Sequence, residues 1–294
     1  MSFVTASRIH ASVVVGVLLA SAGCDFREAT EPRSSPQQPA ANAVAAASES
    51  VLPAAALNDG PPPVVRWETV DELPRELAIF RHVFWEPDDT RSLRQLIRAT
   101  DMVKGKRVLE IGTGSGLISL CCLQAGAAHV LATDINPFAM KNSAFNAELL
   151  GFTERFEVRL VPQRSPDAWS VIREQERFDL IISNPPWEND KPVTLAEFAL
   201  YDPEFQLMKS LLDGLPDRLN PGGRALLAYG CVTAIRRLQE LAAERNLALR
   251  ILDDRLLDQL DEVFLPGMLL EITLPETTRH ESPTAGDGGS SAER

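Results

Sequence analysis

The chain has 294 residues, 45% of them hydrophobic, which is enough for one large α/β domain or two small ones. Its formal net charge is −12, and the segment from Val64 to Pro275 contributes −8 of it, with 24 Lys and Arg against 32 Asp and Glu. Because nucleic-acid binding draws most of its affinity from clustered Lys and Arg, this acidic balance disfavours a nucleic-acid partner, although a local basic patch could survive in it.

The amino terminus, residues 1–24, resembles a secretory signal. Arg8 precedes an uncharged and mostly apolar run from Ala11 to Gly23, which is shorter than the roughly 20 residues that a membrane span needs. Ala22-Gly23-Cys24 resembles the cleavage box of bacterial lipoproteins, with Ser21 where that box usually has leucine. We therefore expect a signal or a lipid anchor that attaches the chain to a membrane through Cys24. The alternative is a mis-assigned start codon upstream of a cytoplasmic enzyme.

Two segments beside the central region have compositions that do not build a core. Residues 25–63 are rich in Pro, Ala, Ser and Gln, and residues 276–294 have a similar character. Such stretches bury too little apolar surface to offset the entropy of ordering them, so we predict a disordered linker and a disordered tail. The folded domain is then expected to span residues 64–275.

Cysteine positions argue against a disulfide framework. Cys121 and Cys122 are neighbours in a predicted helix, Cys231 follows a predicted strand, and Cys24 stands alone near the amino terminus. Free cysteine is most often a small buried residue, and we expect this of Cys121, Cys122 and Cys231.

In the central region, β-rich apolar runs alternate with helical patterns. This alternation predicts an α/β fold with a doubly wound, mostly parallel sheet and helices on both faces. Ligands of such sheets bind at the carboxyl ends of the strands, at the point where the strand order reverses. The predicted strands are Val108–Ile111, His129–Thr133, Phe156–Val161, Phe178–Ser183, Arg224–Tyr229, Ala248–Leu252 and Met268–Leu274. Helices are predicted at Gly116–Gln124, Glu204–Leu219 and Ala234–Arg245, and a turn at Asn220–Gly223 follows the second of these. A further helix is predicted to begin after Asn136, which can cap it, with Pro137 in its first turn.

The sharpest local motif runs from Val108 to Gly116, where a strand enters a glycine turn that opens a helix. Its spacing is G-x-G-x-G, with Glu110 two residues before the first glycine, and it differs from the G-x-G-x-x-G of dinucleotide binders. An acid at this place suits a ligand that carries an ammonium group and would repel a pyrophosphate. The cofactor-binding residues predicted here are Glu110, Gly112, Thr113, Gly114 and Gly116.

Asp134 ends the next predicted strand, about 20 residues further on, where an acid accepts hydrogen bonds from ribose hydroxyls in this kind of fold. A lone aspartate would carry little information. Its separation from the glycine turn makes Asp134 a candidate ribose ligand.

The fourth predicted strand ends in Asn184-Pro185-Pro186-Trp187. Two prolines stiffen the chain and remove two backbone donors. A planar amino group has two N–H bonds that need acceptors, and the Asn184 side-chain oxygen and the Pro185 carbonyl can supply them while the Trp187 ring stacks on the flat group. Asn184, Pro185 and Trp187 are therefore the predicted catalytic residues, with Asn184 also beside the cofactor.

Together these motifs resemble the HemK-like, or release-factor glutamine methyltransferase, branch of the class I S-adenosylmethionine-dependent methyltransferases. The loop from Phe84 to Thr90 and the course from Asp202 to Gly223 are also similar to that family. The resemblance implies a seven-stranded sheet and S-adenosylmethionine as cofactor. It also implies methylation of a glutamine side-chain amide (N5) in a release factor or other polypeptide.

Three departures from the family pattern concern the substrate more than the reaction. Trp187 replaces the usual tyrosine, and aromatic variants at this place occur in relatives that methylate adenine. The family's amino-terminal helical domain has no counterpart, since only Val64 to Arg81 could be helical. In the segment Pro162 to Asp167, after the third strand, the usual adenine-contacting acid has no clear position.

Alternative functions stay open at this point. One is methylation of adenine N6 in RNA or DNA, and another is a catalytically silent, lipid-anchored binding module that keeps the cofactor fold. A nicotinamide oxidoreductase would need the third glycine one residue later. No metal site is predicted, because no ligand spacing relates the four histidines, His10, His82, His129 and His280.

Overall fold

The computed structural model describes residues 63–275. A two-stranded hairpin comes first in this part of the chain, with β1 at Val64–Glu68 and β2 at Leu77–Phe80. The strands of the main sheet are β3 (Arg107–Ile111), β4 (His129–Asp134), β5 (Phe156–Leu160), β6 (Phe178–Ser183), β7 (Leu219–Cys231), β8 (Ala248–Ile251) and β9 (Val263–Thr273).

The main sheet has seven strands in the order β5-β4-β3-β6-β7-β9-β8. Strands β3 to β7 are parallel, and β9 runs antiparallel to both of its neighbours. The chain moves outward from β3 through β4 to β5 and then returns to β6 on the other side of β3. This reversal places a crevice at the carboxyl ends of β3 and β6. The predicted doubly wound, mostly parallel seven-stranded fold is confirmed.

Helices cover both faces of this sheet. They are α1 (Arg91–Ala99), α2 (Leu117–Gln124), α3 (Pro137–Leu149), α4 (Gln206–Arg218) and α5 (Val232–Glu244). Successive strand residues point to opposite faces: Leu109 belongs to the core shared with α4 and α5, and Val108 belongs to the core shared with α1, α2 and α3. Asn136 caps α3 as predicted, because its side-chain oxygen accepts a hydrogen bond from the Phe138 N–H.

Three element boundaries differ from the predicted ones for local reasons. Helix α4 begins at Gln206, because Glu204 and Phe205 adopt left-handed φ values of 56° and 55°. Strand β7 begins at Leu219, so the predicted turn at Asn220–Gly223 forms an irregularity within that strand. Strand β9 begins at Val263, five residues before the predicted start, because Cys231 of β7 pairs with Val263.

Val64 to Arg81, the segment before the loop that alone could be helical, forms the β1–β2 hairpin. All four side chains of β2 are buried, and two amide side chains of α3 occupy its free edge. Asn146 accepts a hydrogen bond from the Ala78 N–H (2.9 Å) and Asn142 accepts one from the Phe80 N–H (2.9 Å). Because Asn146 also donates to the Ser115 carbonyl at 2.9 Å, the hairpin is tied to the glycine turn.

Several sequence-based expectations fall outside the described residues. They are the signal or anchor with Cys24, the linker up to residue 62 and the tail from residue 276. Within residues 63–275, no helix has the length and apolar character that crossing a membrane requires. Cys121, Cys122 and Cys231 are buried free thiols, as expected.

Candidate active site

A cavity opens at the carboxyl ends of β3, β4 and β6. Its lining includes the turn after β3, Asp134 at the end of β4 and Asn184 directly after β6. Residues 84–87, which precede α1, and residues 195–203, which precede α4, contribute further lining side chains. The cavity therefore lies at the topological switch point, and most of the predicted site residues meet there.

The glycine turn presents backbone to this cavity. Gly112 and Gly114 have left-handed φ values of 77° and 55°, which other residues adopt only at a cost. A Cβ on Gly112 would meet no atom within 4 Å, so the space beside it is open. The Gly112 and Thr113 N–H groups both donate to the Thr133 carbonyl (2.9 and 3.0 Å), which fixes the turn on β4. The turn is thus a rigid main-chain surface that a ligand can approach closely.

Gly116 serves packing, contrary to its predicted role in cofactor binding. It is absent from the cavity lining and precedes α2 with a φ of 90°. A Cβ there would lie 3.1 Å from the Ser143 Cβ on α3, so glycine allows the turn and that helix to approach each other. The requirement for glycine is real, but its cause is the contact between helices.

Glu110 is buried at the cavity wall with one oxygen free. Its Oε2 accepts hydrogen bonds from the Thr113 hydroxyl (2.7 Å) and from the N–H and hydroxyl of Ser119. Its Oε1 has no partner among the described residues. Burial raises the pKa of Glu110 to about 7, although the Ser119 and Thr113 hydrogen bonds act in the opposite direction. A cationic donor in the cavity would satisfy Oε1 and favour the ionised form.

Asp134 connects the end of β4 to the glycine turn. Its Oδ2 accepts from the Gly114 N–H and its Oδ1 from the Asn136 N–H, both at 2.8 Å. Burial raises the pKa of Asp134 to about 6, against these backbone hydrogen bonds. Each carboxylate oxygen keeps further acceptor capacity, so a hydroxyl donor in the cavity can still bind here.

Asn184 also presents an unused acceptor. Its side-chain nitrogen donates to the Asp89 carboxylate at 3.4 Å, while its Oδ1 is buried and has no partner within the described part of the chain. A buried amide oxygen without a donor costs free energy, so a donor from a bound molecule would be favoured at this position.

The remaining two predicted catalytic residues lie outside the cavity lining. Pro185 is buried, and Pro186 is the proline of this motif that contacts the cavity. The half-buried Trp187 ring packs against Gly230 of β7, where an added Cβ would lie 3.3 Å from the Trp187 Cη2. Because the same Cβ would lie 2.8 Å from the Phe264 carbonyl oxygen of β9, glycine at 230 leaves room for that strand as well as for the ring.

Four further carboxylates belong to this region and were not predicted as site residues; one of them, Glu86, lines the cavity in the segment before α1. Asp89 is 2% exposed and contacts Asn184. Asp202 lines the cavity and caps α4, because its carboxylate accepts from the Leu207 and Met208 N–H groups at 2.8 and 3.0 Å. The Asp202-Pro203 pair before a helical pattern is a cap signal that could have revealed Asp202. Asp167 is the acid of the segment after β5 that lines the cavity.

Across residues 63–275, no group of three or more His, Cys, Asp or Glu side chains is arranged to hold a metal ion.

Comparison with known proteins identifies the family. A family model described as Ribosomal protein L11 methyltransferase (PrmA) matches residues 91–185. A release factor glutamine methyltransferase of Cereibacter sphaeroides is 37% identical over 175 residues, which are 54% of this chain and 60% of that protein. A Methanocaldococcus jannaschii protein named for protein N5-glutamine methyltransferase activity is 30% identical over 159 residues, 51% of this chain and 76% of that protein. The chain belongs to the HemK-like branch of the class I S-adenosylmethionine-dependent methyltransferases.

A solved structure agrees with this HemK-like assignment at the level of the fold. The S-adenosylmethionine-dependent methyltransferase of Agrobacterium tumefaciens superposes with a TM-score of 0.50 at 17% identity, covering 71% of this chain and 70% of that one. The chain spans 60% of the length of its Cereibacter HemK-like relative.

The cofactor of the HemK-like methyltransferases is S-adenosylmethionine, and the predicted cofactor is confirmed by this membership. The site fits that molecule, which carries an ammonium, ribose hydroxyls and a sulfonium methyl. Glu110 offers a buried free oxygen, Asp134 offers acceptor capacity, and Gly112 leaves open space beside the backbone.

Proposed function

We propose that this protein transfers a methyl group from S-adenosylmethionine to the side-chain amide nitrogen of glutamine (N5) in a protein. The observation that carries the proposal is the buried Oδ1 of Asn184, which belongs to a residue of the cavity lining and has no partner in the described residues. A primary amide supplies the N–H donor that this oxygen lacks.

The proposed binding site for the cofactor consists of the turn after β3 and the end of β4. Glu110 Oε1 accepts from the ammonium group, and Asp134 accepts from the ribose hydroxyls. The fixed backbone of Gly112, Thr113 and Gly114 lines the cavity. Gly116 allows the turn to pack closely against Ser143 of α3.

For the acceptor, the proposed role of the Asn184 motif is positioning. S-adenosylmethionine supplies an electrophilic methyl group on sulfur. The Asn184 oxygen accepts a hydrogen bond from an N–H group of the planar nitrogen, so that the nitrogen lone pair faces the methyl group. Formation of the N–C bond would be matched by cleavage of the S–C bond with its electron pair going to sulfur, and the proton that the nitrogen loses would pass to solvent. In this scheme the Trp187 ring provides an apolar surface beside Gly230 of β7.

The choice of a protein acceptor is supported by the relatives and by charge. Two relatives carry names that specify glutamine methylation. The net charge of −12 does not favour a polyanion such as RNA or DNA. Adenine N6 presents a similar planar amino group, so it is the acceptor against which the proposal has to be tested.

A transfer assay with labelled cofactor tests this function. The purified chain is incubated with a cell lysate and methyl-labelled S-adenosylmethionine, after which protein and nucleic acid are separated. We expect label in the protein fraction. Label in nucleic acid alone would favour an adenine acceptor, and cofactor binding without any labelling would favour the silent binding module.

We also propose that residues 64–275 form the methyltransferase domain and that Cys24 attaches the chain to a membrane. The attachment rests on the Ala22-Gly23-Cys24 box alone. Replacing Cys24 by serine is expected to release the protein from the membrane fraction of cells. Identical fractionation of the two forms would contradict the anchor.

A further inference from the structure

We propose that Asp89 is a positioning residue that orients the Asn184 amide for catalysis, an inference that rests on the proposed function. The Asp89 carboxylate accepts a hydrogen bond from the Asn184 Nδ2 at 3.4 Å, across 95 positions of sequence. Asp89 itself does not line the cavity, whereas Asn184 does. Any influence of Asp89 on the substrate therefore passes through the Asn184 side chain.

An amide side chain needs such a partner, because its two ends have similar shapes and opposite hydrogen-bonding character. Rotation by half a turn would replace the Asn184 oxygen at the cavity by an NH₂ group, which cannot accept from a substrate N–H. An ionised carboxylate only accepts hydrogen bonds, so Asp89 selects the amide nitrogen of Asn184 and leaves Oδ1 free. Among residues 63–275 that oxygen has no hydrogen-bond partner.

The fold holds Asp89 in this position from two sides. Its backbone belongs to a short 3₁₀ turn, Pro87–Thr90, in which the Asp89 N–H donates to the Glu86 carbonyl at 3.3 Å. On the other side, a Cβ on Gly267 of β9 would collide with the Asp89 carbonyl oxygen. Glycine at 267 therefore permits the close approach of this turn to the sheet.

Buried Arg94 of α1 holds the same turn through hydrogen bonds. It donates to the Pro87 carbonyl at 2.9 Å and to the Thr90 hydroxyl at 3.3 Å, while it forms a buried ion pair with Glu72. The cation is thus matched by Glu72, and the turn is attached to α1 through its backbone and Thr90. Asp89 is left to interact with Asn184.

The surroundings of Asp89 make its charge sensitive to pH. Burial raises the pKa of Asp89 to about 7, the Asn184 hydrogen bond lowers it, and the charges of Glu86 and Asp88 raise it further. The packed elements α1, β7 and β9 carry further titratable or charged side chains. They are Arg91, which pairs with Asp88, Arg94, which pairs with Glu72, Arg224, which pairs with Glu271, as well as Arg98, Cys231 and the buried phenol Tyr229, whose pKa is raised by burial. Below about pH 7, Asp89 becomes a carboxylic acid, whose O–H favours the rotated Asn184 amide in which Oδ1 faces Asp89 and accepts from it.

The pH profile of methyl transfer into the protein fraction tests this role. In the unmutated chain, kcat should fall as the pH is lowered through about 7. Asp89→Asn should lower kcat about 10-fold, a loss comparable to one weakened positioning contact, and should remove this limb of the profile. The affinity for S-adenosylhomocysteine should be unchanged. Retention of full kcat and of the limb by Asp89→Asn would overturn the proposal.

Asp88→Asn is the matched control, since it removes the same charge from the neighbouring residue, which is exposed and pairs with Arg91. It should retain the limb, shifted slightly to lower pH because one nearby negative charge is lost. A double variant distinguishes positioning from general support of the fold. Asp89→Asn should have little added effect on kcat once Asn184 is alanine, whereas a purely structural effect would add to that of Asn184→Ala and overturn the proposal.

Nuclear magnetic resonance tests the same contact without any substrate. The side-chain amide signal of Asn184, assigned by its loss in Asn184→Ala, should shift with a midpoint near pH 7 in the unmutated chain and in Asp88→Asn. It should not titrate in Asp89→Asn. An amide signal that ignores pH, or that titrates without Asp89, would overturn the proposal. If the titration depends on Asp89 but no methyl transfer is found, the contact stands and the proposed function fails.

Discussion

Asn184→Ala is expected to lower methyl transfer by a factor of about 10² to 10³, the size of effect seen when one polar group is removed from a site that works by positioning. The substitution removes the buried Oδ1 that lacks a partner within the described residues. It leaves the Gly114 contact with Asp134 intact, so the affinity for the cofactor should barely change. Single-turnover transfer and calorimetry with S-adenosylhomocysteine measure the two effects separately.

Gln259→Ala provides the control for Asn184→Ala, because it removes an exposed amide side chain outside the cavity lining. It should leave both transfer and affinity unchanged. If Asn184→Ala transferred methyl groups at the unmutated rate, Asn184 would not be the group that orients the acceptor nitrogen.

Asp134→Ala is expected to weaken the binding of S-adenosylhomocysteine by about 1.5–3 kcal/mol, or roughly 10- to 150-fold in the dissociation constant. Two losses combine in this variant. The ribose hydroxyls lose an acceptor, and the Gly114 and Asn136 N–H groups lose the partner that holds the turn. Isothermal titration calorimetry measures the change, and far-ultraviolet circular dichroism checks that the fold is retained.

Two observations control the Asp134 prediction. Asp101→Ala removes an exposed carboxylate that pairs with Lys104 and should leave the dissociation constant unchanged.

In the unmutated chain, affinity for S-adenosylhomocysteine should also fall as the pH is lowered through about 7 and then about 6, because protonation of Glu110 and Asp134 removes the charges that bind the ligand. An Asp134→Ala variant that binds as tightly as the unmutated chain would place the ribose elsewhere.

Sequence alone predicts the meeting of Glu110, Asp134 and Asn184 because each follows from local patterns. Each residue belongs to, ends or follows a buried strand, and parallel strands end at one edge of the sheet. The β-rich apolar runs and the glycine turn are encoded within a few neighbouring residues. The order of the strands then brings β4 and β6 to either side of β3.

The features that sequence reasoning missed depend on contacts between distant segments. The β1–β2 hairpin is held by Asn142 and Asn146, which lie more than 60 positions away and resemble ordinary polar helix residues in sequence. Asp89 becomes a buried partner of Asn184 because its turn packs against Gly267 of β9.

The surroundings of Trp187 and Gly116 could not be predicted for a related reason. A motif indicates which residue types are present, but the direction of a side chain depends on what the neighbouring elements leave open. Gly230 leaves room for the Trp187 ring at β7, and Ser143 packs against the position of Gly116.

The chemical identity of the methylated product tests the proposed function most directly. Protein labelled by the unmutated chain is isolated and digested, and the modified residue is identified by tandem mass spectrometry beside a reaction with Asn184→Ala. We predict N5-methylglutamine in the first reaction and its near absence in the second. A methyl group on another side chain, or on adenine N6 in the nucleic-acid fraction, would contradict the assignment of a glutamine amide as the acceptor.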